Sequence, residues 1–211
     1  MRVTTTHFET AQFDALDATY ILSNEKPEVG PSKIVHLVNT EKDVYMQIFK
    51  DAEHRKYKNI LVLRDHVAFR PTISATDFRA VDDFLSANVG RPFAYLLGCL
   101  PALMVPIGKG TFKTLAVDYY ACVFSPSMRE HLLQKGDYLL FHTLFRTYTY
   151  TKPLCYLAGN EPALLLKVDE KGWLYVLAKL MMYLVVVVMV LVVWLLFNYK
   201  SVLVYLRSTF V

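Results

Sequence analysis

The stretch Asn59–Pro71, NILVLRDHVAFRP, decides the fold of this 211-residue chain. It opens with the apolar run Ile60–Leu63, which is too short for a helix and rich in strand-forming side chains. Such a run is typical of a central parallel strand that is covered on both faces. Arg64, Asp65 and His66 follow at once. Because ligands of open α/β sheets bind beyond the carboxyl ends of the strands, these residues are candidates for a functional site. The alternative is that Asp65 and His66 merely cap a turn.

Helical and strand patterns alternate around this run. Thr40–Lys58 and roughly Thr76–Asn88 carry apolar residues at helical spacing, whereas Pro92–Leu100 and Leu115–Phe124 favour strands. Ser125 followed by Pro126 predicts the start of a further helix, which Gly136 ends. The alternation predicts an α/β fold for the soluble part.

Two segments carry weaker patterns. Residues 1–31 are predicted to be irregular, apart from a short strand that Thr19–Leu22 is able to form. Residues 107–114, which contain Gly108-Lys109-Gly110, are predicted to be a flexible loop. That loop lacks the glycine spacing of a phosphate-binding motif.

Charge and cysteine content exclude several classes of function. Lys179, Lys200 and Arg207 account for three of the four net positive charges, so residues 1–172 are nearly neutral and nucleic acid is not an expected partner. The three cysteines are far apart and form neither a disulfide framework nor a zinc motif. They are expected to be buried thiols in a reducing compartment.

The C-terminal region contains a candidate membrane span. Leu180–Phe197 is uncharged and dominated by valine and leucine, and as a helix it would be about 27 Å long. Aromatic residues near its ends fit membrane interfaces. We expect a linker at 158–172, a transmembrane helix at 173–199 and a short tail at 200–211, with a buried core helix as the alternative. Since residues 1–17 lack a signal-peptide pattern, the span is predicted to be a tail anchor with the soluble domain in the cytosol.

Several motifs, in order, resemble family 25 glycosyltransferases, the lipopolysaccharide-type and procollagen galactosyltransferase-like enzymes. Lys58–Phe69 resembles the family's strand that ends in Glu-Asp-Asp, an apolar position and Phe. The other matching elements are Ser32–His36, Ala121–Ser125, Asp137 and Lys152–Tyr156. The resemblance covers about residues 32–157.

The resemblance implies a GT-A-like, mostly parallel sheet flanked by helices, a nucleotide-sugar donor, and a glycan or protein hydroxyl as acceptor. It also implies a divalent metal, often manganese, with Asp65 as metal or donor ligand and His66 as a second ligand. Arg64 would contact the diphosphate, with His36 also on the donor side, and Asp137 would be the acceptor-side base. The chain departs from the family pattern because Arg64-Asp65-His66 replaces an acidic triplet. The alternative function is therefore a degenerate glycosyltransferase-like domain that serves as a tail-anchored interaction module. A tail-anchored adaptor unrelated to glycosyltransferases is a third possibility.

Overall fold

The computed structural model describes residues 13–22, 34–38, 43–64, 67–70, 72–136, 146–157 and 173–209, with backbone only at 34–38 and 199–209. The strands are β1 (Ala18–Leu22), β2 (Ile34–Val38), β3 (Ile60–Leu63), β4 (Val67–Phe69), β5 (Ala94–Gly108), β6 (Thr111–Phe124), β7 (Thr147–Tyr150) and β8 (Cys155–Leu157). The helices are α1 (Val44–His54), α2 (Ala75–Ala87), α3 (Pro126–Lys135) and α4 (Trp173–Thr209). The predicted α/β class is confirmed.

The main sheet has six strands in the order β2-β1-β3-β6-β5-β7. β1 is parallel to β2 and β3, and β7 is parallel to β5. β6 is antiparallel to both β3 and β5. Five of the six strands therefore run in one direction, and the predicted mostly parallel sheet flanked by helices is confirmed.

β3 lies inside this sheet, between β1 and β6. All four of its residues are buried. Ile60 and Val62 pack on the α1 side of the sheet, whereas Leu61 and Leu63 pack on the side that holds α2 and the small β4–β8 sheet. Because both faces are covered, apolar residues are favoured at every position of this run, as expected of a central strand.

The N-terminal prediction needs correction. The short strand at Thr19–Leu22 exists as part of β1, and β1 is an inner strand rather than part of an irregular segment. Phe13 and Leu16 are also buried in the core. Residues 13–22 therefore belong to the same sheet domain as the rest.

The predicted flexible loop at 107–114 is wrong. β5 continues to Gly108 and β6 begins at Thr111, so a two-residue turn joins them. Lys109 and Gly110 in that turn have φ values of 49° and 73°. Positive φ at both central positions is typical of the type I′ turns that connect β-hairpins. The strand also tolerates Pro101 and Pro106 because both lie beside irregularities in the β5–β6 register.

The β5–β6 hairpin bends, so that the beginning of β6 also pairs with β7. The first turns of α4 pack against this bent hairpin. The Tyr175 hydroxyl lies 3.2 Å from both Cys99 Sγ and Thr149 Oγ1, and Lys179 Nζ donates to the Thr151 carbonyl at 2.6 Å. α4 thus begins as part of the domain.

Beyond Lys179 the character of α4 changes. The large apolar side chains between Leu180 and Phe197 are exposed, and residues 173–198 form a helix long and apolar enough to cross a membrane. The buried-core alternative for this segment is therefore wrong. An apolar surface of this size requires lipid or protein around it.

Candidate functional site

The parallel strands β1, β2 and β3 end together at one edge of the sheet. Leu22 is level with Val38, and Ile21 is level with Leu63. From β1 the chain passes to β2 on one side, whereas from β3 it passes toward the opposite half of the sheet. Adjacent strands whose connections diverge leave a crevice at their carboxyl ends, which is where α/β sheets bind ligands.

Arg64 is positioned at this edge by the end of β3. Its backbone N–H donates to the Tyr120 carbonyl at 2.8 Å, which holds the residue beside β6. Its guanidinium Nη1 donates to Asp118 Oδ2, also at 2.8 Å. Both side chains are nearly half exposed, at 45% and 48%. A surface ion pair of this kind contributes only about 0–1 kcal/mol to stability, so a contribution to fold stability does little to explain why the chain has it.

Two aromatic rings lie next to this ion pair. Tyr45, in the first turn of α1, makes an edge-to-face contact with Tyr119 at a centroid distance of 5.9 Å. Burial raises the pKa of the Tyr45 phenol, so this ring stays neutral. Partial burial opposes the charge on Arg64, but the Asp118 carboxylate outweighs it and raises the pKa of the guanidinium. The edge therefore presents a permanent cation, its carboxylate partner and a neutral aromatic wall.

The structure brings one of the five predicted site residues, Arg64, to this edge with a described side chain. His36 lies in the middle of β2, opposite Tyr20 of β1, and only its backbone is described. Asp65, His66 and Asp137 lie outside the described residues. Their roles stay predictions.

Asp118 is the residue that sequence reasoning missed. It is an isolated acidic residue in the strand-forming run Leu115–Phe124. An isolated acidic residue in such a run is a sign of a functional role. Its ion pair with Arg64, however, depends on the antiparallel register that places Ala121 opposite Leu63. The register between distant strands is not readable from a single sequence.

A divalent metal does not fit the described residues of this edge by themselves. The described part of the chain contains no cluster of three or more His, Cys, Asp or Glu side chains suited to a metal. The Asp118 carboxylate is engaged by the Arg64 guanidinium. Since hard divalent cations bind several oxygen ligands, Asp118 alone is insufficient.

Comparisons with known proteins leave the family open. No protein-family model and no curated protein sequence matches the chain. Among solved structures, one similar chain is described as a mannose-1-phosphate geranyltransferase from Thermus thermophilus, at a TM-score of 0.33 and 10% identity. The match covers 55% of this chain and 52% of that one, about half its length. A likeness of this strength assigns neither family nor function. The resemblance to family 25 glycosyltransferases stays a prediction.

Proposed function

We propose that this chain is a membrane-anchored glycosyltransferase that binds the diphosphate of a nucleotide-sugar at the carboxyl edge of β1, β2 and β3. The observation that carries the proposal is the exposed Arg64 guanidinium at the divergence point of these strands. A guanidinium matches two phosphate oxygens at once, and charged hydrogen bonds of this kind are about twice as strong as neutral ones. The motif order that resembles family 25 enzymes supplies the rest of the argument.

The proposed reaction places different demands on different residues. The acceptor oxygen forms a bond to the sugar's anomeric carbon while the bond from that carbon to the diphosphate breaks. Arg64 would offset the charge that develops on the leaving diphosphate, which is electrostatic stabilisation of the transition state. A carboxylate, Asp137 by the resemblance, would accept the proton of the acceptor hydroxyl.

Asp118 gives the site a resting state. While its carboxylate holds Arg64, the pair is neutral, and an incoming diphosphate must compete with Asp118 for the guanidinium. The exposure of both side chains keeps the cost of this exchange small. The proposed ligand therefore replaces an internal anion.

The membrane part of the proposal rests on α4. Its exposed apolar length and the interfacial aromatics Trp173 and Trp194 fit a single span, with the domain predicted on the cytosolic side. Full-length protein is expected to sediment with membranes and to resist carbonate extraction. Release by carbonate would contradict the anchor.

The second candidate is a tail-anchored interaction module without catalysis. The specific observation in its favour is that the Arg64 guanidinium already has a carboxylate partner at 2.8 Å. In such a module the ion pair would be a surface feature of a protein-binding face, and nucleotides would not displace it.

Binding calorimetry on the full-length protein in detergent micelles separates the two candidates. The titrants are uridine, guanosine and cytidine diphosphates, each with and without chelator. We expect at least one to bind, and Arg64→Ala to weaken that binding by about 1.5–3 kcal/mol, the scale of a charged hydrogen bond. Binding abolished by chelator would return the central role to a metal at Asp65 and His66. Absence of binding in a folded protein would favour the interaction module.

A further inference from the structure

We propose that the β5–β6 turn, residues 106–110, is a second membrane contact, which rests on anionic lipid headgroups beside α4 and turns the carboxyl edge of the sheet toward the bilayer. This inference rests on the proposed membrane anchor. It concerns an interaction surface that the anchor alone does not require.

The direction in which α4 leaves the domain is the first step. Its Tyr175 hydroxyl contacts Thr149 of β7, and its Lys179 amine contacts Thr151, which is two residues after Thr149. Four helical residues rise about 6 Å, and two extended residues span about 7 Å. The first turns of α4 therefore run alongside β7 in the same direction.

That direction places the functional edge on the membrane side. β7 is parallel to β5, and both run in the same sense as β3 because β6 is antiparallel to β3 and β5. The carboxyl ends of β3 and β7 thus lie at the same edge of the sheet. Since α4 leaves along β7, Arg64 lies on the side from which the exposed apolar helix emerges.

The β5–β6 turn lies at the point where α4 becomes exposed. Phe112, two residues after the turn, has its ring 5.0 Å from Lys179 Nζ. Thr111 is paired with Tyr150, and a Cβ added to Gly110 would approach the Tyr150 ring to 3.0 Å. Leu180, the residue after Lys179, is 57% exposed. The turn and the start of the apolar surface are therefore neighbours.

The chemistry of the turn fits a lipid surface. Val105 and Ile107, at the end of β5, are 41% and 47% exposed. Residues 101–117 contain Lys109 and Lys113 and no acidic residue. Apolar side chains beside lysines are the combination that enters the headgroup region of an anionic bilayer.

Lys109 has a conformation that stability alone does not favour. Its φ of 49° lies in the left-handed region, where a type I′ turn selects asparagine or glycine. A lysine there is unfavourable by about 1 kcal/mol. The Lys109 side chain is exposed, so in the proposed contact its amine would meet a lipid phosphate.

Depth-dependent quenching on the full-length protein tests the contact. The protein is placed in nanodiscs of phosphatidylcholine with or without phosphatidylserine, and single cysteines carry an environment-sensitive dye. The labelled variants are Ile107→Cys, Leu180→Cys as the span control, and Val117→Cys as the matched control. Val117 is 78% exposed on the same hairpin, but it lies seven residues beyond the turn, roughly 23 Å along the strand. The three native cysteines are buried, which limits background labelling.

We expect a lipid-borne quencher to reduce emission at positions 107 and 180 at least twofold more than at 117, with a larger effect at 107 in anionic discs. Quenching at 180 with equal, weak quenching at 107 and 117 would overturn this inference and leave the anchor intact. No quenching at 180 would overturn the anchor itself.

Lys109→Asn supplies the second readout. It is expected to raise the unfolding temperature, because asparagine suits the turn, and yet to reduce quenching at 107 in anionic discs at least twofold. A purely structural turn would show the first change without the second, and that result would also overturn the inference.

Discussion

At the scale of single residues, Arg129 shows how one side chain joins three elements. It is fully buried in α3, and its guanidinium donates to Glu53 of α1 at 3.0 Å and to the carbonyl of Tyr57 at 2.6 Å. It also donates to the carbonyls of Lys58 and Phe124. Burial lowers the pKa of this guanidinium and the Glu53 carboxylate opposes the shift, so Arg129 stays charged.

Replacing Arg129 is therefore expected to destabilise the fold strongly. In Arg129→Met the carbonyls of Tyr57 and Phe124 lose a buried donor, and breaking such a network costs about 3–5 kcal/mol. Urea unfolding of full-length protein in detergent measures the change. Arg79→Met on the exposed face of α2 is the control and is expected to stay within about 0.5 kcal/mol of the unmodified chain. Equal effects of the two variants would contradict the role assigned to Arg129.

Asp77 links stability to pH. Burial disfavours its charge, but Lys152 at 2.8 Å and the Ser74 capping contacts outweigh this and lower its pKa to about 2. A depressed pKa stabilises the fold above the unfolded-state value near 4 and loses that contribution as pH falls through about 2. The shift corresponds to roughly 2 kcal/mol.

We expect Asp77→Asn to lower the unfolding temperature at pH 7 and to flatten the stability profile between pH 4 and pH 2. Asp83→Asn, an exposed position on the same helix, is expected to leave the profile unchanged. Parallel profiles for unmodified protein and Asp77→Asn would refute this assignment.

At the scale of elements, the sequence predicted correctly those features that depend on neighbouring residues, such as a central strand and the ends of a helix. Ile60–Leu63 is buried on both faces, so its entirely apolar composition indicates an inner strand. Ser125 accepts a hydrogen bond from the Met128 backbone and Gly136 adopts a φ of 67°, so the predicted ends of α3 are confirmed. Parts of β5 and β6 were predicted as strands, but the end of their hairpin was missed because its prolines and glycines, read along the chain, are breakers. The hairpin is held by pairing between β5 and β6 and by pairing of Thr111–Lys113 with β7, which lies far away in sequence.

The beginning of α4 is an element whose role depends on distant contacts. Tyr175 is buried against Cys99 and Thr149, whereas Tyr183, two turns further, is 62% exposed. Tyr175→Ala is expected to destabilise the domain by about 3–5 kcal/mol, the usual cost of removing a buried aromatic side chain. Tyr183→Ala in the same detergent is the matched control, with an expected change below about 1 kcal/mol. If the two variants unfold alike, α4 does not contribute to the domain core.

At the scale of the whole molecule, the sheet separates two apolar layers, and its carboxyl edge is the proposed ligand site. One layer contains α1 and α3, and the other contains α2 and the β4–β8 sheet. The sequence predicted this class of architecture and the position of Arg64 at the end of a central strand. It did not predict Asp118 as its partner, because that contact arises from the pairing of β3 with β6. The donor, acceptor and metal predicted from the family resemblance stay proposals.

The central claim is that Arg64 binds a nucleotide diphosphate in exchange for Asp118. The most direct test is the affinity of full-length Asp118→Asn for the diphosphate that the unmodified protein binds, measured by calorimetry with chelator present. Asparagine lacks the charge that competes for Arg64, so binding is expected to tighten about two- to fivefold, the scale of a surface ion pair. Arg64→Ala in the same background should remove the gain. Unchanged or weaker binding by Asp118→Asn would contradict the account.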